Sequence, residues 1–213
     1  MTTAVGRNVR LEIGLTYASD KTVTAVTKAL PGVATSTSHA MSNGAVGYWT
    51  ASAGMVELDG QATRVYNQST NAFDLQGLDT TGYGTFTAGT FTPVATWGTL
   101  SEAVGYDIGG GEANLLDDTK LLDSKTRNSN GLLAPQNVTI SLKNQTVNGS
   151  VMDFIESAAK ALTKLVFRIT LHDGSVRVFR GVPSVPGESL QSGALASGSF
   201  GVTVEGWVTK GAA

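Results

Sequence analysis

Only one stretch of this chain, Val151 to about Leu165, carries apolar residues at helical spacing. Val151, Phe154, Ile155, Ala158, Leu162 and Leu165 recur on one side of a 3.6-residue period, which predicts a helix with one face against a core. Asp153 and Glu156 stand near its start and Lys160 and Lys164 near its end, as the helix dipole favours. Ser150, with Asp153 three positions on, reads as a variant capping box. A chain with one helix must build most of its core from strands, so the expected class is mainly β.

The strand signals agree. Val9, Leu11, Ile13 and Leu15 alternate with Arg10, Glu12, Gly14 and Thr16, the pattern of a half-buried strand. Val138, Ile140 and Leu142 alternate with Thr139, Ser141 and Lys143 in the same way. Leu165–Leu171 and Ser175–Val182 flank His172-Asp173-Gly174 and predict a hairpin. Phe200, Val202, Val204 and Trp207 form a last strand, and Gly206 predicts a bulge in it before a short tail, Thr209–Ala213.

Between about Asp20 and Trp97 the texture is different. The runs Lys21–Lys28, Val33–Ser38, Val46–Ala51, Ala62–Tyr66 and Ala72–Leu75 are each closed nearby by Gly, Asn, Pro or Asp. Asn43-Gly44 and Asp59-Gly60 are turn dipeptides whose residues tolerate positive φ. Small antiparallel β structure is expected, with a loose hairpin or linker around Gly82, Gly84 and Gly89.

Glu102 to Asn130 reads as a long polar loop. It holds Gly109-Gly110-Gly111 and the acids Glu102, Asp107, Glu112, Asp117, Asp118 and Asp123, with Lys120, Lys125 and Arg127 among them. Its apolar residues are few, Leu115, Leu116, Leu121 and Leu122 included. A loop of this length inside a compact domain is usually functional or disordered.

Several functions are disfavoured by the same residues. The net charge of −2 gives no overall basic field for nucleic acid. There is no cysteine, hence no disulfide framework and no thiolate metal site. No apolar run approaches the ~20 residues of a membrane helix, and Met1–Arg10 lacks an apolar signal segment. His39 and His172 are the only histidines, and no G-x-S-x-G elbow accompanies them. The glycine triplet lacks the Gly-Lys-Ser/Thr of a phosphate loop, and Asp117, Asp118 and Asp123 lack the spacing of a calcium loop. No catalytic residue, metal or cofactor is expected. Charged residues are only 15% of the chain, which suits subunits that cover one another.

Several stretches resemble the major tail tube proteins of bacteriophages with long flexible tails. Leu115-Leu116-Asp117-Asp118-Thr119 stands where that family carries an Asp- and Thr-bearing loop. Pro135–Leu142 is similar to its strand before the helix, and Leu165–Gly174 to its hairpin. Phe179–Ser184 and Val202–Thr209 continue the likeness, which covers residues 1–18 and 98–213. Residues 19–97 resemble a separate module, the small β-barrel (FCCH-type) of ubiquitin-activating enzyme. Ala25–Lys28, Val33–His39, Gly54–Gly60 and Ser69–Leu75 carry that resemblance. It departs from the module's usual Gly-Asp at Gly44-Ala45.

The resemblance implies a tail-tube-type β-sandwich or barrel with one flanking α-helix, plus an inserted small β-barrel domain on the tube exterior. It implies a structural virion protein, not an enzyme. Homohexameric rings would stack into the tube through which the genome passes, with a tape measure protein in the lumen before ejection. Tail terminator and baseplate proteins would meet its ends, and double-stranded DNA would pass without specific binding. No membrane contact is implied, and assembly would occur in the host cytoplasm. The contact candidates between subunits or rings are Glu112, Leu115, Leu116, Asp117, Asp118, Lys120, Leu121, Asp123, Lys125 and Arg127, on a segment at about 104–133 that orders on stacking. The acids would dock on a neighbour's basic face made by Lys143, Lys160, Lys164, Arg168, Arg177 and Arg180. The alternative is a phage fibre, baseplate or glycan-binding β module.

Overall fold

The structure, a computed structural model, describes residues 9–143 and 150–212. Its strands in chain order are β1 (Arg10–Tyr17), β2 (Lys21–Val23), β3 (Ala25–Val26), β4 (Val33–Thr35), β5 (Val46–Ala53), β6 (Ala62–Tyr66) and β7 (Ala72–Gln76). Then come β8 (Ala88–Thr99), β9 (Ala103–Gly110), β10 (Ala113–Asp117), β11 (Asn128–Leu133) and β12 (Gln136–Lys143). After the helix α1 (Ser150–Lys160) follow β13 (Leu165–Thr170), β14 (Val176–Pro183), β15 (Gly187–Ser189) and β16 (Ser197–Gly211). The fold is mainly β, as expected, and α1 is the one α-helix among the described residues.

One curled antiparallel sheet runs β3-β4-β7-β6-β5-β8-β1-β13-β14-β16-β12-β9, with β2 on β8 and β15 on β16. β8 is the hinge of this path. Its first part pairs with β2 and β5, and its last residues, Val94–Thr99, pair with β1. The boundary read at 97/98 therefore falls inside a strand.

Two separate cores lie on either side of that hinge. Leu11, Ile13, Ile140, Phe167, Phe179 and Val202 pack with Ile155 and Ala158 of α1. Trp49, Met55, Leu58, Phe73, Leu75 and Phe91 pack within the stretch 19–97. A third, smaller cluster joins them: Val46 and Ala62 meet Val166, Val176 and Val178. Successive residues of a strand point to opposite faces. Phe167 and Ile169 of β13 thus reach the helix side, and Val166 and Arg168 reach the other. Both faces of β13 and β14 are covered, which accounts for the unbroken apolar run Leu165-Val166-Phe167.

β1 is likewise covered on both sides, not half-buried. Glu12, on its supposed polar face, is 2% exposed. Its carboxylate takes Arg10 Nη2 at 2.7 Å and Arg168 Nη2 at 2.7 Å. β12 keeps the expected alternation, with Val138, Ile140 and Leu142 buried and the residues between them exposed or partly so.

The helix is shorter than its stripe predicts. It ends at Lys160, Leu162 takes φ 53, and Leu165 already belongs to β13. The Thr163 N–H donates to the Ala158 carbonyl at 2.8 Å and the Leu162 N–H to that of Ala159 at 3.2 Å. This is a Schellman end with leucine in the left-handed position that glycine usually fills. The capping side chain of Ser150 and residues 1–8 of the Met1–Arg10 segment lie outside the described residues.

The hairpin between β13 and β14 forms as read, with Gly174 at φ 82. β16 carries the expected bulge: Val178 pairs with Thr209 and Arg180 with Glu205, and Gly206 has φ 74. A Cβ there would lie 2.5 Å from Gln61 Oε1, so the close approach also requires glycine. The supposed tail from Thr209 is the end of β16, and Thr209 is buried. Gly89 lies within β8, not in a linker.

Candidate assembly surface

The stretch read as a polar loop, 102–130, is not a loop. β9 pairs with β12 from Ala103↔Leu142 to Gly110↔Gln136, and among the described residues its far edge has no strand beside it, at the margin of the sheet. Gly110 and Gly111, at φ 83 and 80, then turn the chain off the sheet. A Cβ on Gly110 would sit 2.6 Å from the Pro135 carbonyl oxygen, so the departing and returning chains cross here at backbone distance. Beyond that point, among the described residues, β10 and β11 pair only with each other, as a separate two-stranded ribbon. Sequence patterning missed the ribbon because neither strand buries a face, so no alternation marks it.

All ten contact candidates lie on this one element. Glu112 is at its base, where its carbonyl accepts from the Ala134 N–H at 2.8 Å. Leu115, Leu116 and Asp117 are on β10; Asp118, Lys120, Leu121, Asp123, Lys125 and Arg127 form the broad tip. The tip has internal order. Asp117 Oδ1 accepts from both the Thr119 N–H and hydroxyl, which hold its carboxyl below the usual carboxylate range. The Lys120 N–H donates to Asp123 Oδ2 at 2.9 Å, and the Arg127 N–H donates to Thr119 Oγ1 at 3.0 Å. Arg127 and Asp123 face each other at 3.8 Å, an exposed pair of small worth.

The apolar side chains are the anomaly. Leu121 and Leu122 are 103% and 98% exposed, and Leu115, Leu116, Leu132 and Leu133 are exposed too. Scattered exposed leucines are ordinary; six on one projecting ribbon are not. Leu122, Leu132 and Leu133 were not among the candidates. The pair of Leu-Leu dipeptides flanking one polar, turn-rich segment was the signal that would have found them.

The basic face expected to receive the acids is mostly engaged within the chain. Arg168 is bound to Glu12 and stacks over Trp97 at 4.2 Å from the ring centre. Arg180 and Lys164 both bind Glu205, at 2.7 and 2.6 Å, and Arg180 lies 4.1 Å over Tyr48. Lys160 pairs with Glu156 at 2.6 Å. Four of the six basic residues are thus paired within the chain.

Elsewhere the polar groups are structural. His39 is buried, takes the Met41 N–H on Nδ1 at 3.0 Å, and packs edge-on to Phe73. His172 sits exposed in its turn. A cleft of about 450 Å³ lies where the two cores meet, lined by Arg64, Trp97, Arg168 and Thr170 among others. Burial, with the Arg168 charge second, lowers the Arg64 pKa there. Among the described residues no group of three or more His, Asp or Glu side chains is placed to hold a metal ion.

Against known proteins, no curated sequence matches the chain. The family model described as phage tail tube protein, TTP, matches residues 53–213, which includes the ribbon, the helix, the closing strands and the second half of the 19–97 stretch. That match covers well over half of the sequence, and the chain belongs to the phage tail tube protein family.

Proposed function

We propose that this protein builds the tail tube through homohexameric rings that stack along the tail axis. The observation that carries the reading is the projecting ribbon 112–134, whose leucines are exposed among the described residues. The unpaired edge of β9 supports ring closure, because an open sheet edge invites pairing with another chain and a closed ring removes it. Glu112, Leu115, Leu116, Asp117, Asp118, Lys120, Leu121, Asp123, Lys125 and Arg127 would contact neighbouring subunits or rings.

In this reading the genome passes down the lumen without specific binding, because a tube that held phosphate tightly would retard it. A tape measure protein occupies the lumen before ejection, and terminator and baseplate proteins close the ends. The protein is then part of the virion tail, assembled in the host cytoplasm. Residues 19–97, with their own core, form an accessory β module carried on the tube exterior.

Electron microscopy of the purified protein at rising concentration tests this. Six-fold rings or hollow tubes are expected; a monodisperse monomer at every concentration would refute it.

A further inference from the structure

We propose that the cleft where the two cores meet binds a sugar-sized molecule carrying one carboxylate or phosphate group, held by one edge of the Arg64 guanidinium. The proposal stands apart from tube assembly, because every residue of the cleft belongs to one chain.

The cleft collects side chains from both parts of the sheet. Val46 and Val176, of the small cluster that joins the cores, form its apolar side with the half-buried Trp97 ring. Arg64 of β6 and Arg168 of β13 each bring a guanidinium to it. Two like charges in one cleft repel, and the Arg168 charge helps to lower the Arg64 pKa. Glu12 supplies a single carboxylate to Arg10 and Arg168 together. Among the described residues Arg64 has no ion-pair partner, and no acidic residue lines the cleft. Asp173, next to Gly174 of the rim, accepts from the Ser175 N–H and hydroxyl instead of an arginine. The cleft is therefore left with a positive field that favours an anion.

The orientation of Arg64 shows where that anion would sit. Its Nη1 donates to Gln76 Oε1 at 2.6 Å and to the Ala212 carbonyl at 3.2 Å, which holds the group from one end. The edge formed by Nε and Nη2 has no acceptor among the described residues. It faces Gly44 of the rim, at φ 87, where a Cβ would lie 3.6 Å from Nη2 and 3.8 Å from Nε. Glycine leaves that edge uncovered. Two parallel N–H donors match the paired oxygens of a carboxylate or phosphate.

The volume, about 450 Å³, exceeds what a bare anion fills and lies within the range of small-molecule sites. Ser42, Asn43 and Thr170 add polar groups around the indole wall. Asn43 Oδ1 accepts the Gln68 N–H at 2.9 Å, which fixes the side chain and leaves its amide N–H groups as donors. Hydroxyl partners beside one apolar wall suit a sugar ring.

Isothermal titration of the full chain at about 0.1 M salt, which screens diffuse attraction, uses glucuronate, glucose-6-phosphate, glucose, acetate and inorganic phosphate. One or both anionic sugars are expected to bind once per chain, at least about tenfold more tightly than the other three. Binding of glucuronate alone, the phosphosugar alone or both tells which anionic group the cleft accepts. Ser42→Glu sets a carboxylate on the exposed rim and touches none of the Arg64 bonds. Arg64→Lys keeps the charge and removes the paired donors. Each should weaken binding at least about tenfold, with the thermal unfolding of Ser42→Glu unchanged. If neither anionic sugar binds, or if acetate or phosphate binds as tightly as they do, the proposal is wrong. It is equally wrong if Ser42→Glu, or an Arg64→Lys chain that folds, binds as the parent does.

Discussion

Gln61 bonds both backbone groups of Trp207: its Nε2 donates to the Trp207 carbonyl at 2.7 Å, and the Trp207 N–H donates to its Oε1 at 2.8 Å. The same Nε2 reaches Thr209 Oγ1 at 2.7 Å, and that hydroxyl donates to the Ala62 carbonyl at 2.7 Å. One amide side chain just before β6 thus satisfies the bulge of β16 and ties the two cores together.

Gln61→Ala should therefore destabilise by about 2–4 kcal/mol, because it orphans a donor and an acceptor at a buried site. The urea midpoint measures it. A shift equivalent to less than 1 kcal/mol, on the order of a single net hydrogen bond, would show that water replaces the amide without loss.

Glu12 makes a second long-range link, joining β1 to β13. With two guanidinium groups on a carboxylate 2% exposed, Glu12→Ala leaves Arg168 uncompensated and should cost about 3–5 kcal/mol. Arg10→Ala, which removes an arginine whose side chain is 62% exposed, should cost no more than about 1 kcal/mol. Equal losses from the two substitutions in thermal or denaturant unfolding would contradict the burial argument.

Leu162 offers a gain. It holds φ 53 at the helix end and is largely exposed, so glycine relieves the left-handed strain and gives up little burial. Leu162→Gly should raise stability by about 1 kcal/mol. A lower melting temperature would mean that Leu162 packs on something in solution.

Tyr17 makes stability depend on pH at the alkaline end. Burial raises its pKa above the usual tyrosine value near 10, partly offset by the Val166 N–H that donates to its hydroxyl oxygen at 3.3 Å. The folded state thus keeps the phenol proton longer than the unfolded chain. That contribution is whole below pH ~10 and is lost as pH rises through the folded value. At neutral pH Tyr17→Phe should cost about 1 kcal/mol for the lost acceptor. The gap between parent and variant should then narrow as pH rises past 10; a constant gap would contradict it.

Much of the fold was legible where one face of a strand is buried. β12 announces itself by strict alternation, and the turns at Asn43-Gly44, Asp59-Gly60 and Asp173-Gly174 by residues that accept positive φ: Gly44, Gly60 and Gly174 take 87°, 77° and 82°. Misreadings arose where that rule has no purchase. β1 is covered on both sides, so Glu12 looked like a solvent residue. β9 is an edge and β10–β11 a bare ribbon, so their acids and glycines looked like a loop. The α1 stripe continued in register through Leu162 and Leu165, although the backbone reverses between them. The candidate contact residues were picked through the family likeness, and Leu122, Leu132 and Leu133, also exposed on the ribbon, were not among them. Gln61 and Glu12 join elements far apart in the chain, a relation that local pattern does not encode.

The ribbon's role in assembly is tested most directly by electron microscopy of the full-length protein beside a variant in which Glu112–Ala134 is replaced by a two-residue turn. β9 and β12 still pair at Gly110↔Gln136, so the variant should fold with an unchanged sheet spectrum by circular dichroism. The parent is predicted to form rings and tubes and the variant to remain dispersed at the same concentration. Tubes of equal length and number from the variant would contradict the assignment of assembly to this ribbon.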